Sequence, residues 1–324
     1  MCTIHQNIKL LIHAARVSIT YKEIISKIVC DIDNRLCMLR VCSICNDLSK
    51  IKNIIEACLF PNEVEIDYDE DINYNEWKQT DKAELIKKTC LTAEYIEEVI
   101  SKFNSLIPHY NIAKQQSAFL KKRKSELKQD TPLVLLDFSE NYAFVIQEEI
   151  QGNYSSRNTC TIHPVVIYII ENERLCSKTL CFLSDDLKHD VAAVQVFIKH
   201  FIEYIKSHFP HVKNVEYYSD GCAGQYKNCT NFLYVCQHKN LYGLNAQWIF
   251  FASSHGKSPC DGVGGALKRE AAKESLITQS DEQIICAEDL YQFRKSRETG
   301  GESNIIPFFS FKRRNRRISH NYEN

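Results

Sequence analysis

The chain has 324 residues, 44% of them hydrophobic, and 40 Lys and Arg against 41 Asp and Glu give a formal net charge of -1. This is ample material for one large domain with an appendage or for two domains, and it removes any argument for nucleic-acid binding from global charge. No run approaches the roughly 18 to 20 apolar residues of a membrane span, and MCTIHQNIKLLIHAARVS has none of the pattern of a secretory signal, so an intracellular protein with no membrane partner is expected. Fifteen cysteines, odd in number and scattered along the chain, fit reduced thiols, some of them zinc ligands, better than a disulfide scaffold.

Residues 1–61 read as a mainly helical, cysteine-containing region. Within CDIDNRLCMLRVCSIC lie Cys30, Cys37, Cys42 and Cys45; Cys42 and Cys45 have the C-x2-C spacing of a zinc-binding pair, while buried helix cysteines are the competing reading. Residues 62–91, with VEIDYDEDI at 64–72, read as an acidic linker and the start of a helix. Residues 92–130 read as a basic helical brace interrupted near Pro108, ending in KKRKSELK at 121–128.

From residue 131 to 278 the pattern is three strands, helix, strand, helix, strand, helix. LVLLDFSENYAFVIQEE at 133–149 sets Asp137 in the middle of a buried strand, where an unpaired carboxylate is costly. TCTIHPVVIYIIE and SKTLCFLSDD follow, then the helix DVAAVQVFIKHFIEYIKSHFP, the strand NVEYYSD, the helix NCTNFLYVCQHKN, the strand AQWIFFASS, and a glycine-rich turn into the helix GALKREAAKES. This order predicts an α/β protein with a ribonuclease H-like mixed sheet flanked by helices. Residues 279–324 form a C-terminal extension with the basic tail KRRNRR at 312–317, a candidate import signal or phosphate-binding segment.

Asp220 closes its strand, at the end where open α/β sheets bind ligands, and the proposed order lays that strand beside the one carrying Asp137. Two crowded carboxylates repel, and a Mg2+ or Mn2+ ion resolves the conflict. Two residues compete as third ligand: Asp261 just before the glycines, or Glu270 in the final helix, the usual source in polynucleotidyl transferases of this fold. Three converging carboxylates predict two-metal phosphodiester transfer, one metal activating a water or 3′-hydroxyl and the other stabilising the leaving oxygen. His255 would position an attacking or leaving group, and Lys257 and Lys268 would neutralise backbone phosphates. Gln225, Lys227 and Asn228, just beyond Asp220, are suited to polar contacts with substrate. HGKSPCDGVGG has its lysine before the glycines, so a nucleotide-binding P-loop is not expected.

The stretches LLDFSENYAFVIQEEIQ, TIHPVVIYI, YYSDGCAGQYKN, FLYVCQHKN and FFASSHGKSPCDGVGGALKREA together resemble transposon-derived proteins common in invertebrate genomes, over about residues 131–275. The resemblance implies a DDE-type transposase or integrase core, with Asp137 and Asp220 at its first two acidic positions and the third falling on Asp261 or Glu270. It implies DNA as partner; the basic runs, as candidate import signals, favour the nucleus over the cytoplasm, and a homo-oligomer is a separate expectation. The front of the chain has no helix-turn-helix and no full zinc finger, so a domesticated, inactive copy acting as a nucleic-acid or chromatin interaction module is the alternative expectation.

Overall fold

The computed structural model describes residues 2–45, 47–61, 67–80, 82–150, 157–251, 258–279, 282–297 and 305–306. Two compact units emerge, one from residues 1–121 and the other from residues 122–251 and the chain beyond 257. Among the described residues no helix is long and apolar enough to cross a membrane.

The first unit opens with helices α1 (Thr3–Ala14), α2 (Tyr21–Ile28), α3 (Arg35–Met38) and α4 (Ser49–Leu59). Local chemistry sets their starts. Thr20 and Glu23 form a reciprocal capping box at α2, and the Asn34 side chain accepts from the Leu36 and Cys37 amides at α3. Residues 71–91 depart from the expected linker: β1 (Asp71–Gln79) and β2 (Ala83–Leu91) form an antiparallel hairpin. Its inward row includes Tyr74 and Glu76, and the buried Glu76 carboxylate is held by Lys88 and by Lys102 at 2.9 Å. A charge on the buried face is what hides the strand's apolar alternation. The Asn7 side chain ties α1 to this hairpin, donating to the Trp77 carbonyl at 2.9 Å and accepting from its amide at 2.8 Å.

Helix α5 (Thr92–Ser125) passes through Pro108 without the expected interruption. Tyr95, Ile96, Val99, Phe103, Leu106 and Ile107 keep helical spacing up to the proline in the core of the first unit, and Tyr110 packs against that core beyond it, so packing outweighs the lost hydrogen bond.

The second unit is a mixed sheet in the order β8-β7-β3-β5-β6-β9. Its strands are β3 (Leu133–Leu136), β4 (Tyr142–Ala143), β5 (Thr159–Glu171), β6 (Arg174–Ser184), β7 (Asn214–Ser219), β8 (Asn245–Phe250) and β9 (Ile305–Ile306). β5 runs antiparallel to β3, β4 and β6, while β3–β7, β7–β8 and β6–β9 pair in parallel. Helix α6 (Val191–His208), capped by Asp190, packs Val194, Phe197, Phe201 and Ile205 on one face of the sheet. Helix α8 (Pro259–Ile277) covers the other face together with α9 (Ala287–Arg297), whose Ala287 and Leu290 belong to that core. The C-terminal extension therefore contributes to the unit. Its basic run at 312–317 lies outside the described residues.

Two boundaries matter for function. The strand expected to run through Asp137 ends at Leu136; beyond it the Asp137 and Ser139 amides still donate to the Pro164 and Ile162 carbonyls of β5, at 3.4 and 2.9 Å, and the short strand β4 pairs with β5 from Tyr142. The glycine-rich turn expected before the last helix is instead its first two turns, because Ser258 as N-cap, Pro259 at the first helical position and Asp261 completing a capping box start α8 ahead of the glycines.

Candidate active site

Leu133, Val134 and Leu135 of β3 face Glu216, Tyr217 and Tyr218 of β7 in parallel register. Extending that register by two residues sets Asp137 opposite Asp220, each the first residue beyond its strand. Neighbouring strands lie about 4.8 Å apart, and register-matched residues of parallel strands project to the same face. Burial pushes the Asp137 carboxyl up to about 7, with the negative charges of Asp220 and then Asp261 adding to it. Three carboxylates from β3, β7 and the first turn of α8 thus share one electrostatic field. Two of them are oriented by backbone: Asp220 accepts from the Cys222 amide at 3.0 Å, and Asp261 from the Ser258 amide at 3.0 Å.

Glu270, the competing third ligand, is not part of this group. It pairs with Arg294 of α9, and Glu274 one turn later pairs with Arg297. Helix α8 begins early enough to present Asp261 at the sheet's end, which leaves Glu270 more than two turns further along the helix.

Gly264 explains how α8 comes so close. A Cβ there would lie 2.9 Å from Ser139 Oγ and 3.3 Å from Pro164 Cγ, so only a glycine lets the helix seat against the chain just after Asp137.

Of the other expected residues, Lys227 is exposed with its ammonium 5.6 Å from the Phe250 ring centroid, and Gln225 is half-buried. Asn228 is engaged as the N-cap of α7 (Cys229–Tyr242), accepting from the Asn231 amide at 2.8 Å and donating to the Ala223 carbonyl at 2.9 Å. Lys268 donates to the Glu140 carbonyl, and partial burial lowers its pKa. His255 and Lys257 lie outside the described residues.

The structure adds groups that sequence reading passed over. The Tyr226 hydroxyl is fully buried, and Asp137 and Asp220 add to the burial that holds it protonated. It shares a 3.0 Å hydrogen bond with His163 Nε2. Burial drives His163 down to about 3, so this imidazole is neutral at physiological pH. Phe138, next to Asp137, stacks on His189 at 4.3 Å and meets His163 edge-on at 4.5 Å. His189 Nε2 is in turn 2.8 Å from Asn141 Oδ1. The available signal was His163 itself, a polar residue within the apolar run TCTIHPVVIYIIE.

The cysteines of the first unit also converge. The Sγ atoms of Cys30, Cys37, Cys42 and Cys45 all lie within 4.8 Å of one another, so the expected Cys42–Cys45 pair is completed by two further thiols into a set that could hold zinc. Ligand atoms of Cys2, His5 and His109 meet the same limit, with Cys2 Sγ hydrogen-bonded to His109 Nε2 at 3.2 Å. The carboxylate trio is more open than either cluster.

Residues 3–107 match a family model described as Domain of unknown function (DUF8700), and residues 116–324 match one described as Domain of unknown function (DUF8701). No curated protein and no solved structure matches the chain. The stretch separating the two matches falls within α5, the helix in which the two units also part. The second match takes in well over half of the chain, which therefore belongs to the family described as Domain of unknown function (DUF8701).

Proposed function

We propose that the second unit catalyses metal-dependent phosphodiester cleavage and strand transfer on DNA. The observation that carries this reading is the meeting of Asp137, Asp220 and Asp261 in one electrostatic field at the carboxyl end of two adjacent parallel strands. Strand order adds support, since β8-β7-β3-β5-β6 with only the second strand of the path from β3 reversed is the arrangement of a ribonuclease H-like sheet. DNA as substrate rests on the resemblance to transposon-derived proteins, and the nucleus as compartment on the basic runs as candidate import signals.

The donor set fits hard divalent cations. It offers carboxylate oxygens alone, and the Asp137 carboxyl is raised first by burial and then by repulsion from Asp220 and Asp261, which bound positive charge would relieve. Mg2+ or Mn2+ held by Asp137, Asp220 and Asp261 would supply Lewis-acid activation of the attacking oxygen and charge neutralisation at the leaving oxygen. The chain's own contribution is to orient the ligands: backbone amides fix Asp220 and Asp261, and the neutral His163–Tyr226 pair keeps a protonated hydroxyl beside the carboxylates. Lys227, which is exposed, and Gln225, which is half-buried, lie on the segment leaving Asp220 and would contact substrate phosphates.

The test is cleavage and strand transfer on labelled DNA in Mg2+ or Mn2+. Asp137→Asn, Asp220→Asn and Asp261→Asn should each reduce the rate by at least about 100-fold, the scale of losing a principal electrostatic contact, while Glu270→Gln retains activity. Equal loss in Glu270→Gln would return the third ligand to helix α8's later turns. A folded wild type that binds Mn2+ and DNA yet cuts no substrate, transposon-end sequences included, would overturn the catalytic reading.

A further inference from the structure

We propose that Cys30, Cys37, Cys42 and Cys45 form a closed tetrathiolate zinc site that folds the loop between α2 and α4 in the first unit. This inference is independent of the carboxylate site and of any activity there.

Geometry is the first argument. Tetrahedral zinc with Zn–S bonds of about 2.3 Å sets its sulfurs about 3.8 Å apart. Four Sγ atoms mutually within 4.8 Å satisfy that spacing without rearrangement of the backbone. All four thiols are free, and four protein ligands leave no position open for a substrate, so the site is structural.

The backbone of the loop is built around the sulfurs. Between Cys37 and Cys42 the chain reverses through a helix-ending motif: the Arg40 amide bonds to the Cys37 carbonyl at 3.2 Å and the Val41 amide to the Leu36 carbonyl at 3.0 Å. Arg40 occupies the left-handed region at φ 62°, unusual for a side chain of that size, and its Nη1 donates to the Cys45 carbonyl at 2.6 Å. That interaction brings a buried guanidinium charge to a cluster that, with zinc bound, would carry a net charge of about -2.

Packing supplies the third argument. Ile32, Leu36, Val41 and Ile44 are 41%, 58%, 64% and 81% exposed, so between Cys30 and Cys45 only Met38 and the half-buried Leu39 anchor the loop through large apolar side chains. A segment that buries so little of its own apolar surface needs a cross-link to hold one conformation, and a metal provides it.

The experiment is metal analysis of the full chain purified under reducing conditions, with cobalt as spectroscopic probe. One zinc per chain is expected, together with the thiolate charge-transfer and tetrahedral d–d absorption of the cobalt form. Cys42→Ser should abolish binding at this site, Cys30→His should keep one metal with a shifted cobalt spectrum, and Cys58→Ser should change nothing. If Cys42→Ser fails to fold, chelation of the wild type gives the second readout: amide exchange should accelerate across residues 30–45. Zinc-free folded protein from zinc-replete medium, iron in place of zinc, disulfides among the four cysteines, or unchanged zinc content in Cys42→Ser would each overturn the proposal.

Discussion

At the scale of single residues, Asp137 makes folding pH-dependent in a definite direction. Its carboxyl titrates near 7 in the fold and near 3.9 in an unfolded chain, so between these values the native state holds the extra proton. Stability of the metal-free second unit should therefore fall as pH rises from about 4 to about 7, by as much as about 4 kcal/mol. Asp137→Asn, which cannot ionise, should match wild type near pH 4 and exceed it near pH 8. Urea midpoints measured across this range in EDTA read the difference directly, and identical pH profiles for both proteins would show that the carboxyl is not destabilised as argued. Gly264 gives a second residue-scale prediction. Alanine there gains about 1 kcal/mol of helix propensity but drives its methyl into Ser139 and Pro164, so a net loss of about 1 to 2 kcal/mol is expected. Adding Ser139→Gly removes two of the three close contacts and should recover part of that loss.

Among elements, the end of α5 is fixed to the sheet by a charge pair. Glu216 is buried in mid-strand of β7, and Arg123 reaches it with two nitrogens, Nε at 3.1 Å from Oε2 and Nη2 on Oε1, while Lys124 sits 3.5 Å from the Tyr168 ring centroid. Arg123→Met leaves a buried carboxylate unpaired and should destabilise the unit by about 3 kcal/mol, at the low end for a broken buried pair because the arginine is partly exposed. The double variant Arg123→Met with Glu216→Gln should regain most of this loss in a double-mutant cycle. An additive cycle would mean the two side chains act separately. The succession from β3 to α8 was legible because these elements follow period 2 or 3.6 with clear punctuation. What escaped reading is equally specific. Glu76 disguised β1 by putting charge on its buried row, and Pro108 signalled a break that the core packing of Phe103, Leu106 and Ile107 just before it overrides. At α8 the glycines suggested a loop although Ser258, Pro259 and Asp261 already spelled a helix start, and that one boundary underlies the proposal of Asp261 over Glu270 as third ligand.

For the whole molecule, the two units have separate cores and separate candidate cation sites of opposite chemistry: soft thiolates in one, hard carboxylates in the other. A chain of this kind need not unfold in one step. Calorimetry of the full-length protein should resolve two transitions with different cation dependence. Zinc removal should lower the transition of the first unit, and Cys42→Ser should reproduce that shift without added chelator. If the proposed carboxylate site holds Mg2+, the cation at pH 7.5 should raise the other transition, because it would bind only the folded cluster, and Asp137→Asn should remove this response. The crossed comparison carries the weight: the cysteine variant should leave the Mg2+ response intact, and the aspartate variant should leave the zinc response intact. A single transition moved by both substitutions would mean that the units fold as one cooperative body, so that neither site could be read through the stability of its own unit.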